Sequence, residues 1–364
     1  MRDRFGREID YMRISVIDSC NLNCYYCNPL DNNEHCHAVN ILSVKKVLCI
    51  VRAATRLGIT HFRLTGGEPL LHPQLDEMVL QIKKIPGVSS VSLTTNAVLL
   101  AQQAKQLKEA GIDSINVSLD TIDASEYEHI TKKPLLDKVE HGIDAAIECG
   151  IRVKINVVLT PQTDVVALTR YASKKGTDIR FIEMMPVGEG HTNGVEPYKK
   201  VIGTLSELYG EPYRVNTGKT KEINSGHNKY KEERKNPDNG PAEYYIFPEL
   251  DIRVGLIQAI HGKFCDTCNR IRVTADGRLM PCLGSSVTMD LVPDSCEFTD
   301  DLEKDFVIVQ ALKAAIKAKP GCHNFNDNAV TYTKTTETKT TEIKTTELKA
   351  AEVNAARNMS RIGG

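Results

Sequence analysis

A partial (β/α)6 barrel of the TIM type, followed by a C-terminal extension, is the fold this sequence predicts. Three observations predict it. First, from residue 11 to residue 186 one unit recurs: a short β-rich run, a polar turn, an amphipathic helix, a glycine and the next run. The runs cover residues 12–17, 61–64, 91–95, 114–119, 153–159 and 179–182. Second, Gly58, Gly87, Gly111, Gly150 and Gly176 stand ahead of the last five runs, each where a helix should end in a left-handed cap. Third, the chemically unusual residues follow the runs, and a parallel barrel places its ligands at the carboxyl ends of its strands. Strands alternating with helices imply right-handed parallel crossovers. The periodicity also leaves open a flat, doubly wound sheet.

The first run leads to Cys20-Asn21-Leu22-Asn23-Cys24-Tyr25-Tyr26-Cys27. A structural zinc site wants four protein ligands, whereas three thiolates on a cubane of four irons leave one iron open to an outside ligand. Zinc and scattered core thiols are the alternatives for this segment. The second run ends in Thr65-Gly66-Gly67-Glu68-Pro69. Alone, that is a tight turn with Pro69 opening a helix. Beside the cysteines, consecutive glycines read as a backbone edge that approaches a ligand closely. Thr94-Thr95-Asn96 ends the third run, Ser118-Leu119-Asp120 the fourth, and Met184-Met185-Pro186 follows the sixth.

After Pro186 the rhythm stops. The expected organisation is a barrel over residues 1–186, an extension over 187–330, a low-complexity spacer over 331–358 and a tail over 359–364 ending Gly363-Gly364. In the extension we expect a helix near 199–208, an exposed polar insertion over 216–239, strands near 244–247, 252–255 and 271–274, and a helix over 301–318. The spacer holds four pentads from Lys334, too poor in apolar residues to form a core.

The extension carries a second triad, Cys265-x2-Cys268-x13-Cys282. Zinc completed by His261 is one reading, and a second cluster with an open iron is the other. Arg270 and Arg272 lie two apart on a strand and so share a face. Their forked guanidiniums suit phosphate, although two solvated surface arginines would look the same in sequence. By the same alternation Arg13, Arg63 and Lys154 face the barrel interior, where buried cations are costly unless an anionic substrate offsets them.

The chain has 364 residues, 41% of them hydrophobic, and a formal net charge of −1. No global field recruits a nucleic-acid polymer or an acidic membrane. No run approaches the roughly 20 apolar residues of a membrane span, and residues 1–10 have no apolar core, so a cytoplasmic location is expected. Of eleven cysteines, six fall into the triads; Cys36, Cys49, Cys149, Cys296 and Cys322 read as ordinary thiols.

The pattern C-x3-C-x2-C with Tyr26 before its last cysteine resembles the radical S-adenosylmethionine (SAM) enzymes. CNLNCYYC, RLTGGEPLL, NVSLD, VKINVV, RFIEMMPVG, FCDTCNRIRVTADGRLMPCL and the terminal Gly-Gly narrow the resemblance to the GTP 3′,8-cyclases of molybdenum cofactor biosynthesis, the MoaA family, over roughly residues 11–290 and the tail. The resemblance implies SAM and two [4Fe–4S] clusters, one on Cys20, Cys24 and Cys27, the other on Cys265, Cys268 and Cys282. It implies SAM contacts at Tyr26, Gly67, Ser118 and Met185, and GTP contacts at Arg13, Arg63, Thr94, Lys154, Arg270, Ile271 and Arg272. It gives Arg270, Arg272, Gly363 and Gly364 a part in catalysis. Implied partners are GTP as substrate, a flavodoxin- or ferredoxin-like electron donor, a downstream pyranopterin-forming enzyme and a second copy of the chain as a homodimer. Ser19 and Asn28 depart from the usual Arg and Met, His61 from a frequent Lys, and Ala97 from Gly. Rivals are a peptide-modifying radical SAM enzyme with an auxiliary cluster, a non-catalytic iron–sulfur carrier and a zinc-stabilised binding module.

Overall fold

The computed structural model describes residues 1–27, 39–186, 195–215, 240–285, 288–291, 302–323 and 325. The predicted parallel strands form: β1 (Tyr11–Ser15), β2 (His61–Thr65), β3 (Ser90–Thr95), β4 (Ser114–Ser118), β5 (Arg152–Leu159) and β6 (Asp178–Glu183), each hydrogen-bonded in parallel to the next. The helices between them are α1 (Val44–Thr55), α2 (Leu75–Lys83), α3 (Leu100–Glu109), α4 (Ala124–Thr131), α5 (Leu136–Glu148) and α6 (Val165–Lys174). Side-chain caps start three of these: Ser43 accepts from Lys46 N, Asp123 from Glu126 N and Asp164 from Ala167 N. All five expected cap glycines adopt positive φ, from 64° at Gly176 to 92° at Gly87 and Gly111.

Ala97 holds φ 63° and is fully buried, a left-handed conformation that its Cβ disfavours.

The extension joins the sheet on both flanks, which the sequence pattern did not suggest. It contributes β7 (Tyr213–Val215), β8 (Glu243–Ile246), β9 (Arg253–Ile257), β10 (Arg270–Val273), β11 (Arg278–Met280) and β12 (Met289–Asp290). β9 pairs parallel with β6, and β10 pairs parallel with β1, so eight strands run the same way. The antiparallel hairpins β7–β8 and β11–β12 lie outside them, and the described sheet runs β12-β11-β10-β1-β2-β3-β4-β5-β6-β9-β8-β7. The helix expected near 199–208 is a π-helical turn, Tyr198–Gly203, running into α7 (Thr204–Tyr209). The last described helix is α8 (Leu302–Ala318), packed on α1. The 216–239 insertion, the 331–358 spacer and the tail with Gly363 and Gly364 lie outside the described residues.

The two faces of the sheet differ in kind. Met12, Ile14, Phe62, Leu64, Ile155 and Phe181 are fully buried on the face that packs against the helices, each such burial worth about 1.5–3 kcal/mol. The other face carries Arg13, Arg63, Ser92, Asn116, Lys154 and Arg180. Arg63 on β2 is near enough to Arg180 on β6 for their charges to repel. Four strand spacings in a flat sheet would separate them by about 19 Å. The sheet is therefore curled, with the polar face inside, as a partial barrel requires and a doubly wound sheet does not.

Candidate active site

The loop after β1 is pinned before it reaches the first cysteine. Gly67 donates its amide to Ile17 O and Glu68 donates to Ser19 O, both at 2.8 Å. A Cβ on Gly67 would stand 2.3 Å from Ser19 O, and one on Gly66 2.4 Å from Ile17 O. Glycine is needed here so that the protein's own backbone can approach, because the turn after β2 grips the loop that carries Cys20. The buried Glu68 carboxylate accepts from Leu70 N at 3.0 Å, Thr95 Oγ1 at 2.6 Å and Asn96 N at 2.7 Å. Asn96 in turn donates to Asn21 Oδ1 at 2.8 Å and lies 3.8 Å from Cys20 Sγ. On the other side, Asn23 N and Tyr25 N donate to Thr131 O and Ile130 O at the end of α4. The Tyr26 hydroxyl donates to Asp120, whose second oxygen accepts from Val158 N at 2.8 Å.

Burial pushes Glu68 up to about 7 and Asp120 up to about 6. Burial, reinforced by Cys20 and Asp120, pushes the Cys27 thiol up to about 12, and Cys24 rises further for the same reasons. Thiols this reluctant to ionise alone suit a cationic group that takes all three as thiolates. Among the described residues no three His, Cys, Asp or Glu side chains converge as a single metal ion requires.

The second triad is assembled by a hairpin. Cys265 opens a 3-10 turn, and Cys268 lies two residues before β10. β11 returns antiparallel, with Arg272 opposite Met280, which brings Cys282 back to the start of β10. That is the physical reason for the thirteen-residue spacing. Cys268 and Cys282 both act electrostatically on Cys265. Burial raises the Cys268 thiol, but Arg270 and Lys319 outweigh it and bring it down to about 7. His261, the candidate fourth ligand of a zinc reading, is instead held by Glu183, whose carboxylate also accepts from Ile260 N at 2.7 Å and His261 N at 3.1 Å. Cys322, expected to be an ordinary thiol, is near enough to Cys265 for their charges to interact.

Because β10 is parallel to β1, the start of β10 lies at the amino end of the strands, while Cys20 follows the carboxyl end of β1. The two triads thus occupy opposite ends of the curled sheet. Five-residue strands rising about 3.3 Å per residue separate them by roughly 17 Å or more. The carboxyl-end rule that the sequence reading applied to the barrel motifs does not extend to the second triad.

Between the triads the inner face is cationic. Arg272, Arg13 and Arg63 form one register row across β10, β1 and β2, continued by Ser92 and Ser114. Lys154 faces Asn116, and Arg180 aligns with Asn156 and Gly255. Arg63 donates to the Tyr11 hydroxyl and, at 3.4 Å, to Thr94 Oγ1. Arg270 lies 5.2 Å from the Phe264 ring centre. His61 is hydrogen-bonded to Ser90 Oγ at 2.8 Å. Buried Arg270 Nε, Arg272 Nε, Arg180 Nη2 and Asn116 Oδ1 have no hydrogen-bond partner among the described residues. A ligand rich in anionic oxygens would satisfy the three donors, each otherwise costing about 1–3 kcal/mol. Burial together with Arg272, Arg63 and Arg270 holds Arg13 well below its ordinary value, and burial with Arg180, Arg152 and Arg63 takes Lys154 down to about 5.

Gly67, Ser118 and Met185 stand at or just past the carboxyl ends of β2, β4 and β6, and Tyr26 lies within the first triad. The Ile271 side chain is on the helix-covered face, 1% exposed, so only its backbone can serve the interior. Sequence reasoning missed Arg180, although alternation along β6 puts it on the inner face. A Cβ on Gly255 would come within 2.8 Å of its Cγ, so that glycine makes its room. Arg7 was also missed. Its guanidinium pairs with Asp3 at 2.6 Å and donates to Cys265 O, Gly321 O and Pro320 O, bracing the second triad against the end of α8.

Comparison with known proteins gives matches over the same parts of the chain. Residues 14–168 match the radical SAM superfamily and residues 177–325 the family described as Molybdenum Cofactor Synthesis C. The GTP 3′,8-cyclase of Clostridium perfringens (strain SM101 / Type A) is 35% identical over 330 residues, 89% of this chain and 95% of the relative. That of Pelotomaculum thermopropionicum is 36% identical over 333 residues, again 89% and 95%. Among solved structures, Streptococcus suis SuiB bound to S-adenosylmethionine superposes with a TM-score of 0.57 at 14% identity, covering 84% of this chain and 66% of that one, a likeness of fold.

Proposed function

Because the chain belongs to the GTP 3′,8-cyclase family, within the radical SAM superfamily, we propose that it converts GTP to (8S)-3′,8-cyclo-7,8-dihydroguanosine 5′-triphosphate, an early step of molybdenum cofactor biosynthesis. The observation that carries this reading is the cationic inner wall set between two cysteine triads. Cys20, Cys24 and Cys27 would hold one [4Fe–4S] cluster and Cys265, Cys268 and Cys282 a second. When bound, the first cluster together with SAM would supply the radical chemistry needed for hydrogen abstraction at the ribose of GTP.

The protein's own residues set where this happens. Glu68, Gly67 and Asn96 fix the Cys20 loop, and Tyr26, Gly67, Ser118 and Met185 surround SAM at the carboxyl ends. Arg13, Arg63, Thr94, Lys154, Arg270 and Arg272, with the Ile271 backbone and Arg180, hold GTP; the unpartnered guanidinium donors are the specific support for a triphosphate there. Burial of the wall strengthens those contacts by excluding water. Gly363 and Gly364, outside the described residues, are assigned a part in catalysis by the family resemblance alone. A flavodoxin- or ferredoxin-like donor supplies electrons, a pyranopterin-forming enzyme takes the product, and two chains pair as a homodimer.

Anaerobic incubation of iron-replete protein with SAM, GTP and a reductant tests the activity. The expected result is 5′-deoxyadenosine together with a cyclised guanine nucleotide. SAM cleavage that leaves GTP intact would reject the proposal.

A further inference from the structure

Lys319 follows α8 and is 2% exposed, among the most buried of the described charged residues. Its Nζ donates to Arg270 O at 2.8 Å and to Pro281 O at 2.9 Å. Those carbonyls belong to the two arms of the second triad: Arg270 begins β10 just after Cys268, and Pro281 immediately precedes Cys282. The same ammonium is near enough to Cys268 and Cys282 for their charges to interact. Two of its three donors close the hairpin. Nothing in the sequence pattern marked this residue, which lies 37 positions beyond the last cysteine of the triad.

The two triads therefore sit in opposite fields. The first has carboxylates nearby, Glu68 acting on Cys20 and Asp120 on Cys24 and Cys27. The second has Lys319, Arg270 and Arg272. Reduction adds negative charge to an iron–sulfur cluster, and net charge and hydrogen bonds to its sulfurs set its potential. Cations at the sulfurs favour the reduced form.

We propose that Lys319 is a positioning residue that joins the two arms of the second triad and holds the reduction potential of its cluster above that of the first. This rests on the reading that the second triad binds a [4Fe–4S] cluster. The two carbonyl acceptors fix where the Lys319 ammonium sits. Lys319→Gln can keep both carbonyl bonds while removing the charge, and Lys319→Arg keeps the charge.

The test uses the full chain carrying Cys20→Ala, Cys24→Ala and Cys27→Ala, so that only the second cluster is present. Protein reconstituted anaerobically with iron and sulfide is assayed for iron and titrated with reductant by electron paramagnetic resonance. The expected result is about four irons per chain in every case, a midpoint moved to more negative potential by Lys319→Gln, and a midpoint near the parent's for Lys319→Arg. In the reciprocal chain lacking Cys265, Cys268 and Cys282, Lys319→Gln should leave the first cluster's midpoint where it was. An unchanged midpoint with iron intact would overturn the inference while leaving the cluster assignment standing. Loss of iron from Lys319→Gln and Lys319→Arg alike would also overturn it, since Lys319 would then be a strut whose charge is immaterial. Absence of iron from the parent background would overturn the assignment and the inference together.

Discussion

Lys154 shows how far a single residue has been moved from its ordinary state to serve the interior. The unfolded chain keeps it protonated up to its usual value of 10.5, whereas burial and its arginine neighbours leave the folded chain neutral above about 5. Between those values the unfolded state binds more protons, so the residue costs stability at pH 7 and stability rises with pH across that window. Lys154→Met should therefore melt higher than the parent at pH 7, by about 1–4 kcal/mol of added stability, with the gain shrinking as pH approaches 10. The same variant should bind GTP roughly ten- to a hundredfold more weakly. A lower melting temperature at pH 7 would show that the cation is already compensated in the empty protein. Alternation along a strand was enough to send Lys154, Arg13 and Arg63 inside, because an inner position needs only a period of two. The same period sends Arg180 inside, where it was overlooked, but it says nothing of Arg7 and Lys319. Their roles come from carbonyls more than 30 positions away in sequence, and local pattern does not encode those contacts.

At the scale of elements, a turn on one strand builds the metal loop of another. The Gly66-Gly67 turn after β2 could be read from sequence as a close approach, but not that Ile17 and Ser19 on the neighbouring loop are the partners, because that pairing exists only once β1 and β2 are in register. The two roles for Gly67, contact to SAM and clamp on the cysteine loop, predict different losses. With Ser19 O at 2.3 Å from an added Cβ, Gly67→Ala must push the loop that bears Cys20 away from β2. We expect reconstituted Gly67→Ala to lose about four irons per chain from the first triad and keep those of the second. Full iron content with weakened SAM binding would make the glycine a ligand contact alone. The second triad shows the complementary case: C-x2-C was recognisable as a metal loop, but its return cysteine arrives through β11, and only the β10–β11 hairpin explains the interval.

For the whole molecule the decisive contacts are the longest in sequence. Residues 1–186 read as a partial barrel, and in the structure β1 exchanges hydrogen bonds with β10 and β6 with β9. Cutting the chain after Pro186 would bare both outer strands of the six, each presenting a row of unpaired amides and carbonyls. It would also uncover the face of α1 that α8 packs against. The inner face would suffer as well: Asp178 would lose Arg253, which shields it in a largely buried pair. Removing one member of such a pair typically costs about 3–5 kcal/mol, a large share of the roughly 5–15 kcal/mol by which a domain is stable. A chain ending at Pro186 should therefore be insoluble, or compact but loosely packed, binding hydrophobic dye and lacking a near-ultraviolet dichroism signal. The full chain should melt cooperatively. A soluble 1–186 fragment with a sharp melt and native near-ultraviolet dichroism would mean that the extension is a separate domain laid against a finished barrel, and that the parallel pairing of β10 with β1 contributes little to its stability.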